Sequence, residues 1–146
     1  NHNKMDRPSV QQLDDTLRAF KELGVKIVVT ELDVDVLPDV TRQPTADVSV
    51  RAKATAESNP YTAGLPDEMQ TALAKRYAEI FAVFLKHKDA VTRVTFWGVT
   101  DRESWLNNFP AFGRTNYPLL FDREGKPKPA FDVVIKAATN STNSTK

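Results

Sequence analysis

Two apolar, β-branched segments, each preceded by an amphipathic helical pattern, constrain this chain to an alternating α/β fold. The helical patterns cover residues 10–23 and 67–88, and a third pattern covers 130–138. The segment 25–31 is β-branched and apolar on both faces, as in a strand that helices cover, and 92–99 is predicted to be a second strand. Because strands that alternate with helices pair in parallel through right-handed crossovers, the sequence predicts that these two strands are parallel neighbours.

Residues at the predicted element ends support this order. Ser9 is expected to be the N-cap of the first helix and Gly24 its C′ residue. Asp67 is expected to cap the second helix, and Pro129 lies near the start of the third. Residues 38–66 form a long, proline-containing loop. Loops of this length in compact domains are usually functional or mobile.

Composition excludes several classes of protein and site. The 146 residues carry a formal net charge of +1, with 40% hydrophobic and 27% charged residues, which is typical of a globular domain that buries a core. Basic and acidic residues are interspersed, and no block of like charge appears. The sequence therefore gives no indication of a nucleic acid or an anionic membrane as a partner. No apolar run approaches the roughly 20 residues that span a bilayer. The chain contains no cysteine, which excludes thiolate metal sites, and we predict neither a metal nor a cofactor.

The first predicted strand runs directly into a group of carboxylates. Residues 27–30, which suit the inside of a sheet, are followed by Glu31, Asp33 and Asp35. These three carboxylates repel one another, and folding alone does not explain them. In parallel α/β sheets, chemistry takes place at the carboxyl ends of the strands and in the loops that follow them. Glu31 and Asp33 lie at such an end and, by the two-residue period of a strand, point to the same side.

Two tryptophans follow the second strand at the same edge of the predicted sheet. Trp97 lies near the end of that strand, and Trp105 lies a few residues beyond it. Indole rings can stack on the C–H faces of sugars, and glycoside hydrolysis uses paired acidic side chains, so this combination indicates a carbohydrate site. The alternative is structural, because strand-end carboxylates also cap helices or pair with Arg and Lys. Spacing alone favours neither interpretation.

The motifs around these residues are similar to those of a known family. TELDV on the first strand, VTFWGVTDRESWLNN on the second and the closing PLLFDREGKPKPAFDVVI resemble the C-terminal part of family 10 glycoside hydrolases, the retaining endo-β-1,4-xylanases. The segments NPYTAGLP and RTNYPLLFD look most like xylanases of gut and rumen bacteria. The resemblance implies a (β/α)8 TIM barrel, of which only the last strands and helices are present. Residues 1–138 would be the C-terminal portion of that barrel, and 139–146 a polar, disordered tail.

The resemblance also implies roles for individual residues. Glu31 matches the catalytic nucleophile, which forms a covalent glycosyl-enzyme. Asp33 matches a carboxylate that works with a histidine to hold and tune the nucleophile. His2 would be that histidine, the alternative being a loosely ordered terminal side chain. Trp97 and Trp105 match the indoles that wall the sugar subsite beside the scissile bond, with core packing as the alternative for each.

Other polar residues have structural interpretations. We expect Asp35, Asp101 and Glu103 to cap helices or to form salt bridges. His87, late in the second helix, is expected to interact with the carbonyl groups at the end of that helix. None of these four residues is predicted to contact substrate.

The chain departs from the family pattern in what it lacks. A (β/α)8 barrel takes about 250 residues, and the Asn-Glu segment that carries the acid/base glutamate of the family has no match here. Two hypotheses follow: a retaining xylanase that needs its other barrel strands, or an inactive barrel remnant that binds xylan weakly. Expected partners are xylan or a xylo-oligosaccharide, and the N-terminal half of the barrel or a second copy of the chain. Because xylan is extracellular, we expect a secreted, periplasmic or cell-surface enzyme, although these residues show no signal peptide.

Overall fold

The computed structural model describes residues 3–40 and 52–143, with side chains described as far as residue 140. The described part alternates helices and strands in the predicted order, with two short 3-10 turns at Asp101–Glu103 and Trp105–Asn107. The helices and strands are β1 (Asn3–Lys4), α1 (Val10–Glu22), β2 (Ile27–Leu32), β3 (Val34–Asp35), β4 (Ala52–Lys53), α2 (Asp67–Lys86), β5 (Val91–Phe96), β6 (Ala111–Phe112) and α3 (Pro129–Asn143).

The central feature is a parallel pair formed by β2 and β5, as predicted. Ile27 on β2 lies opposite Val91 on β5, and Leu32 lies opposite Phe96. The Trp97 N–H donates to the Leu32 carbonyl at 3.0 Å, so the pairing continues to the end of both strands. Because the strands are parallel, their carboxyl ends lie at the same edge of the sheet.

Helix α2 packs on this strand pair and forms the centre of the hydrophobic core. The rings of Tyr77 and Phe81 lie 5.9 and 6.1 Å from the Phe96 ring, centroid to centroid. Tyr77 is fully buried, and its hydroxyl donates to the Pro118 carbonyl at 2.5 Å, which gives this buried polar group a partner. Helix α3 packs against α2. The other large core residues include Leu17, Leu32, Val34, Leu73, Ile80, Val83, Phe84, Leu120 and Val134.

Two shorter parallel pairs lie beyond the central strands. β1 pairs with β3, with Asn3 opposite Val34, and β4 pairs with β6, with Ala52 opposite Ala111. β3 begins two residues after β2 ends, so the chain continues in an extended form through Asp33. Within residues 3–40 and 52–143, no helix combines the length and the apolar character that a membrane span requires.

The predicted ends of α1 are confirmed. The Ser9 hydroxyl accepts from the Gln12 N–H at 3.1 Å, and the Gln12 side chain accepts from the Ser9 N–H at 2.9 Å, which completes a capping box. Gly24 follows the helix with a φ of 74°, a left-handed conformation that glycine adopts without steric cost.

The ends of the other two helices differ from the prediction. Pro66, and not Asp67, is the N-cap of α2. Asp67 is the first helical residue, where its negative charge interacts favourably with the positive end of the helix dipole. Helix α3 continues to Asn143, so residues 139–143, which we expected to form part of a disordered tail, are helical. The last three residues of the chain lie outside the described part.

The prediction for His87 is wrong. Its imidazole contacts Asp14 on α1, with Nε2 and Oδ1 2.8 Å apart, and not the carbonyl groups at the end of α2. Lys86 donates to the other Asp14 oxygen at 2.8 Å. These hydrogen bonds from Lys86 and His87 hold the pKa of the Asp14 carboxyl below its usual range. Asp14 therefore joins α1 to the end of α2.

Candidate active site

A cleft of about 450 Å³ extends along β2 to the edge of the sheet where β2 and β5 end. Glu31 is exposed on β2, whereas Asp33 directly follows that strand and is buried. Trp97 follows β5, and Trp105 begins the second 3-10 turn. Their side chains are 49% and 37% exposed, so neither is a core residue. The residues that line the cleft are Asn3, Val28, Val29, Thr30, Glu31, Asp33, Trp97 and Trp105.

Gly98 turns the chain directly after Trp97. Its φ is 140°, a conformation that residues with a side chain rarely adopt. A Cβ atom at this position would lie 2.9 Å from Leu119 Cδ1, and Leu119 is fully buried. Backbone conformation and close packing therefore both require glycine between β5 and the segment that carries Trp105.

We expect Gly98→Ala to lower the free energy of unfolding by about 3 kcal/mol, because backbone strain and overpacking against Leu119 add together. Gly125→Ala is the matched control. Gly125 has a φ of 80° and no atom within 4 Å of an added Cβ, so strain of about 1–2 kcal/mol is expected there. Urea unfolding of both variants measures the difference, and equal losses would show that Leu119 does not constrain Gly98.

The clearest contact within the cleft joins Asp33 to Trp105. The Trp105 indole Nε1–H donates to Asp33 Oδ2 at 2.7 Å. The indole also stacks on Phe109, with ring centroids 4.9 Å apart and 25° between the planes. Neither contact was predicted from the sequence, although two aromatic residues four positions apart are an available signal for the second. His2, the predicted partner of Asp33, lies outside the described residues, so its role stays a prediction.

Asp35 forms salt bridges, as predicted, within a buried charged cluster. Its carboxylate lies 3.4 Å from Lys4 Nζ and 3.7 Å from Arg114 Nη1, and it accepts from the Asn116 amide at 2.6 Å. Burial lowers the pKa of the Arg114 guanidinium, although Asp35 opposes this effect. Because Lys4 lies on β1 and Asp35 on β3, the cluster fixes the backbone that directly follows Asp33.

Asp101 is a second buried carboxylate with a structural partner, as predicted. Its Oδ2 accepts from Lys128 Nζ at 2.8 Å, and its Oδ1 accepts from the Leu119 N–H at 2.8 Å. Burial raises the pKa of Asp101 to about 6, although Lys128 opposes this effect. The pair joins the segment that carries Trp105 to the start of α3. Glu103, in the same segment, is exposed.

The cleft offers an accessible carboxylate beside two aromatic faces. In the part of the chain that the structure describes, no group of three or more His, Asp or Glu side chains could hold a metal ion. Glu31 is exposed, and the Trp97 and Trp105 rings, which line the same cleft, can stack on a ring with apolar C–H faces. This arrangement suits nucleophilic attack on a sugar that is held by stacking.

Comparisons with known proteins match nearly the whole chain. Residues 1–137 match glycosyl hydrolase family 10. The chain is similar to the endo-1,4-beta-xylanase A of Xylanibacter ruminicola, with 40% identity over 135 residues that cover 92% of this chain. The chain spans 37% of the length of that relative.

Solved structures give the same partial match. A GH10 endoxylanase retrieved from a sugarcane soil metagenome is 52% identical, with a TM-score of 0.85 over 93% of this chain and 39% of that chain. A mutant protein in complex with xylotriose is 34% identical, with a TM-score of 0.72 over 92% of this chain and 37% of that chain. The similar structures are (β/α)8 barrels, so the predicted fold, a part of such a barrel, is confirmed.

Proposed function

Because this chain belongs to glycosyl hydrolase family 10, we propose that it forms the nucleophile side of the active site of an endo-1,4-β-xylanase. The observation that carries this proposal is the exposure of Glu31 in one cleft with the Trp97 and Trp105 indoles. The proposed substrate is xylan or a xylo-oligosaccharide. One of the similar structures contains xylotriose, which supports this choice.

In the proposed mechanism, Glu31 is the nucleophile of a double displacement. Its carboxylate forms a bond to the anomeric carbon of a xylose unit while the bond from that carbon to the leaving oxygen breaks. An acid protonates the leaving oxygen. Water then attacks the anomeric carbon of the covalent glycosyl-enzyme and releases the Glu31 carboxylate, with net retention of configuration.

The acid/base carboxyl is proposed to come from barrel residues outside these 146. Retaining enzymes place their two carboxyl groups about 5–5.5 Å apart. Asp33 is the other carboxylate of the cleft lining, but it is buried and accepts the hydrogen bond from Trp105, so it is not placed to protonate a leaving oxygen. The parts of the relatives that this chain does not match are the proposed source of the acid.

The proposed partner of this chain is therefore the remainder of the barrel, with self-association as the alternative. Val28, on the apolar strand β2, lines the cleft and is 41% exposed. Among the described residues β2 pairs with β5 alone, and a closed barrel would pair its other edge as well. Because xylan is an extracellular polymer, we propose that the complete enzyme is exported to the periplasm, the cell surface or the medium.

An inactive barrel remnant that binds xylan is the second candidate. It rests on the Trp97 and Trp105 indoles, which line the cleft and can stack on a sugar whether or not a bond is broken. Such a protein would keep both indoles of the cleft and would show binding without turnover.

Xylotriose binding tests both candidates, because each depends on the two indoles. We expect xylotriose to change the tryptophan fluorescence of the chain, and Trp97→Ala or Trp105→Ala to weaken binding roughly tenfold through loss of stacking area. Phe112→Ala is the matched control, because Phe112 is 62% exposed but does not line the cleft. Calorimetric titration measures the affinities. Binding that is insensitive to both tryptophan substitutions would contradict a sugar site in this cleft.

A further inference from the structure

We propose that Asp33 is a positioning residue for the Trp105 indole, the ring on which the sugar would stack, which we call the sugar platform. The Asp33 carboxylate fixes the orientation of this indole in the cleft. This inference rests on the proposed function, in which Trp105 stacks on the substrate. It differs from the role that the family resemblance implied for Asp33, which concerned a histidine and the nucleophile. Here Asp33 acts on substrate through the aromatic ring that it holds.

The contact joins a buried carboxylate, that of Asp33, to a partly exposed indole, that of Trp105. Asp33 is 3% exposed, whereas Trp105 is 37% exposed. A hydrogen bond to a carboxylate is charge-assisted and stronger than one between neutral groups. Because Nε1–H is the single donor of an indole, the 2.7 Å bond from it to Asp33 Oδ2 determines where the edge of the ring points.

A second contact limits the tilt of the same ring. The Trp105 indole stacks on Phe109, with the centroids 4.9 Å apart. One face of the indole is thus covered by Phe109, while Trp105 also lines the cleft. An edge contact and a face contact together limit both the rotation and the tilt of a flat ring. Loss of Asp33 would remove the edge contact and leave the stacking contact with Phe109 in place.

The backbone that carries Trp105 is anchored by residues other than Asp33. The Ser104 hydroxyl accepts from the Leu106 N–H at 3.2 Å, and the Asn107 amide donates to the Asp101 carbonyl at 2.9 Å. A substitution at Asp33 should therefore release the indole while the turn stays folded. This distinguishes a positioning role from a general contribution to stability.

The position of Asp33 in the chain links the platform to the nucleophile. Asp33 lies two residues after Glu31, so one short segment places the carboxylate that attacks and also holds the ring that stacks. A sugar on Trp105 is then held at a defined position relative to Glu31. Reacting atoms must approach to about 3–3.5 Å, so a loosely held platform would lower the fraction of bound sugars that can react.

Fluorescence of Trp105 in the 146-residue chain tests the contact. Trp97→Phe leaves Trp105 as the remaining tryptophan of the chain. In that background, Asp33→Ala should increase acrylamide quenching of Trp105 roughly twofold, because a released surface side chain changes rotamer rapidly. Asp33→Asn keeps an acceptor oxygen and should stay closer to the starting value. Asp15→Ala is the control, because Asp15 lies on α1 and contacts its neighbours Gln11 and Arg18.

Xylotriose affinity gives the second readout, with Trp97 intact. Asp33→Ala should weaken binding roughly tenfold, as expected for loss of a hydrogen bond to a charged group. When Trp105→Phe has already removed the indole donor, the added Asp33→Ala should weaken binding by a clearly smaller factor than it does when the indole is present. This double-mutant cycle separates an action through Trp105 from any other effect of the carboxylate.

The outcomes separate the inference from the proposed function. A folded Asp33→Ala variant with unchanged Trp105 quenching and unchanged xylotriose affinity would overturn the inference. If Asp33→Ala does not fold, Asp33→Leu, which fills the buried site but offers no acceptor oxygen, replaces it in the cycle, and an equal loss of affinity with and without the indole overturns the inference. If quenching changes but even the unsubstituted chain binds no xylotriose, the positioning contact is supported while the proposed function fails.

Discussion

Completing the barrel should give this chain xylanase activity that the chain alone lacks. The completing segment is the part of the Xylanibacter ruminicola xylanase that this chain does not match, co-expressed or fused before Asn1. Hydrolysis of a xylo-oligosaccharide should then occur with retention of configuration. The isolated chain should be slower by about 10²–10⁴-fold or more, because this is what general acid catalysis contributes. Loss of the other subsites also removes binding energy that the transition state uses.

Glu31→Gln should remove the activity of the completed enzyme. The substitution keeps the shape of the side chain and removes the charge of the nucleophile, so we expect kcat to fall by about 10⁴-fold or more. Glu57→Gln is the matched control, because Glu57 is exposed and does not line the cleft. Initial rates on a xylo-oligosaccharide measure the loss, and nuclear magnetic resonance of the first products identifies the anomer.

The two candidate functions give different results in this experiment. Activity that appears on completion and disappears with Glu31→Gln would support the xylanase. A completed barrel that binds xylotriose without turnover would support the inactive remnant. Full activity of the isolated chain that survives Glu31→Gln would show that Glu31 is not the nucleophile.

An aryl xyloside with a dinitrophenolate leaving group needs little protonation, so the isolated chain should be less impaired on it than on xylotriose.

Features that depend on local pattern could be predicted from the sequence. The parallel pairing of β2 and β5 follows from their alternation with helices, and the cleft follows from the rule that strand ends meet at one edge. The Ser9 capping box is also local, because its partner lies three residues away. The same local rules failed at Pro66, where the preference for a side-chain cap favoured Asp67.

Individual long-range contacts could not be predicted in this way. The hydrogen bonds of Asp33 with Trp105 and of Asp14 with His87 join residues that are 72 and 73 positions apart. No periodicity determines which of several nearby polar groups a carboxylate will bind. The sequence therefore placed Asp33 in the cleft but did not identify Trp105 as its partner. Such pairings depend on where the turns after β5 place each side chain, which is a tertiary property.

Lys128→Met should be the most destabilising of the substitutions considered outside the cleft. Lys128 is 3% exposed, and its ammonium group donates to Asp101 and to the Tyr117 and Leu119 carbonyls at 2.8–2.9 Å. Removal of one partner from a buried ion pair costs about 3–5 kcal/mol, because the other charge stays buried without compensation. Urea unfolding at neutral pH measures this loss. Lys126→Met, at an exposed neighbouring lysine, is the control and should have little effect.

The loss in Lys128→Met should depend on pH in a direction that the structure determines. Burial raises the pKa of Asp101 from 3.8 to about 6, so the folded chain binds a proton at this carboxyl more readily than the unfolded chain. The contribution of Asp101 to stability is therefore fully present below about pH 4 and is lost as the pH rises through about 6. In Lys128→Met, protonation neutralises the unpaired charge, so part of the lost stability should return at about pH 5.

The double variant Asp101→Asn with Lys128→Met tests this explanation, because it leaves no buried charge at the pair. The loss of unfolding free energy in the double variant should be smaller than the sum of the losses in Asp101→Asn and Lys128→Met. Because the double variant has no carboxyl group at position 101, this position should add no stability between about pH 7 and pH 5. Because Asp101 also accepts from the Leu119 N–H and anchors the segment of Trp105, Lys128→Met should weaken xylotriose binding as well. A Lys128→Met variant as stable as Lys126→Met at every pH would show that the buried pair of Lys128 and Asp101 does not stabilise the fold.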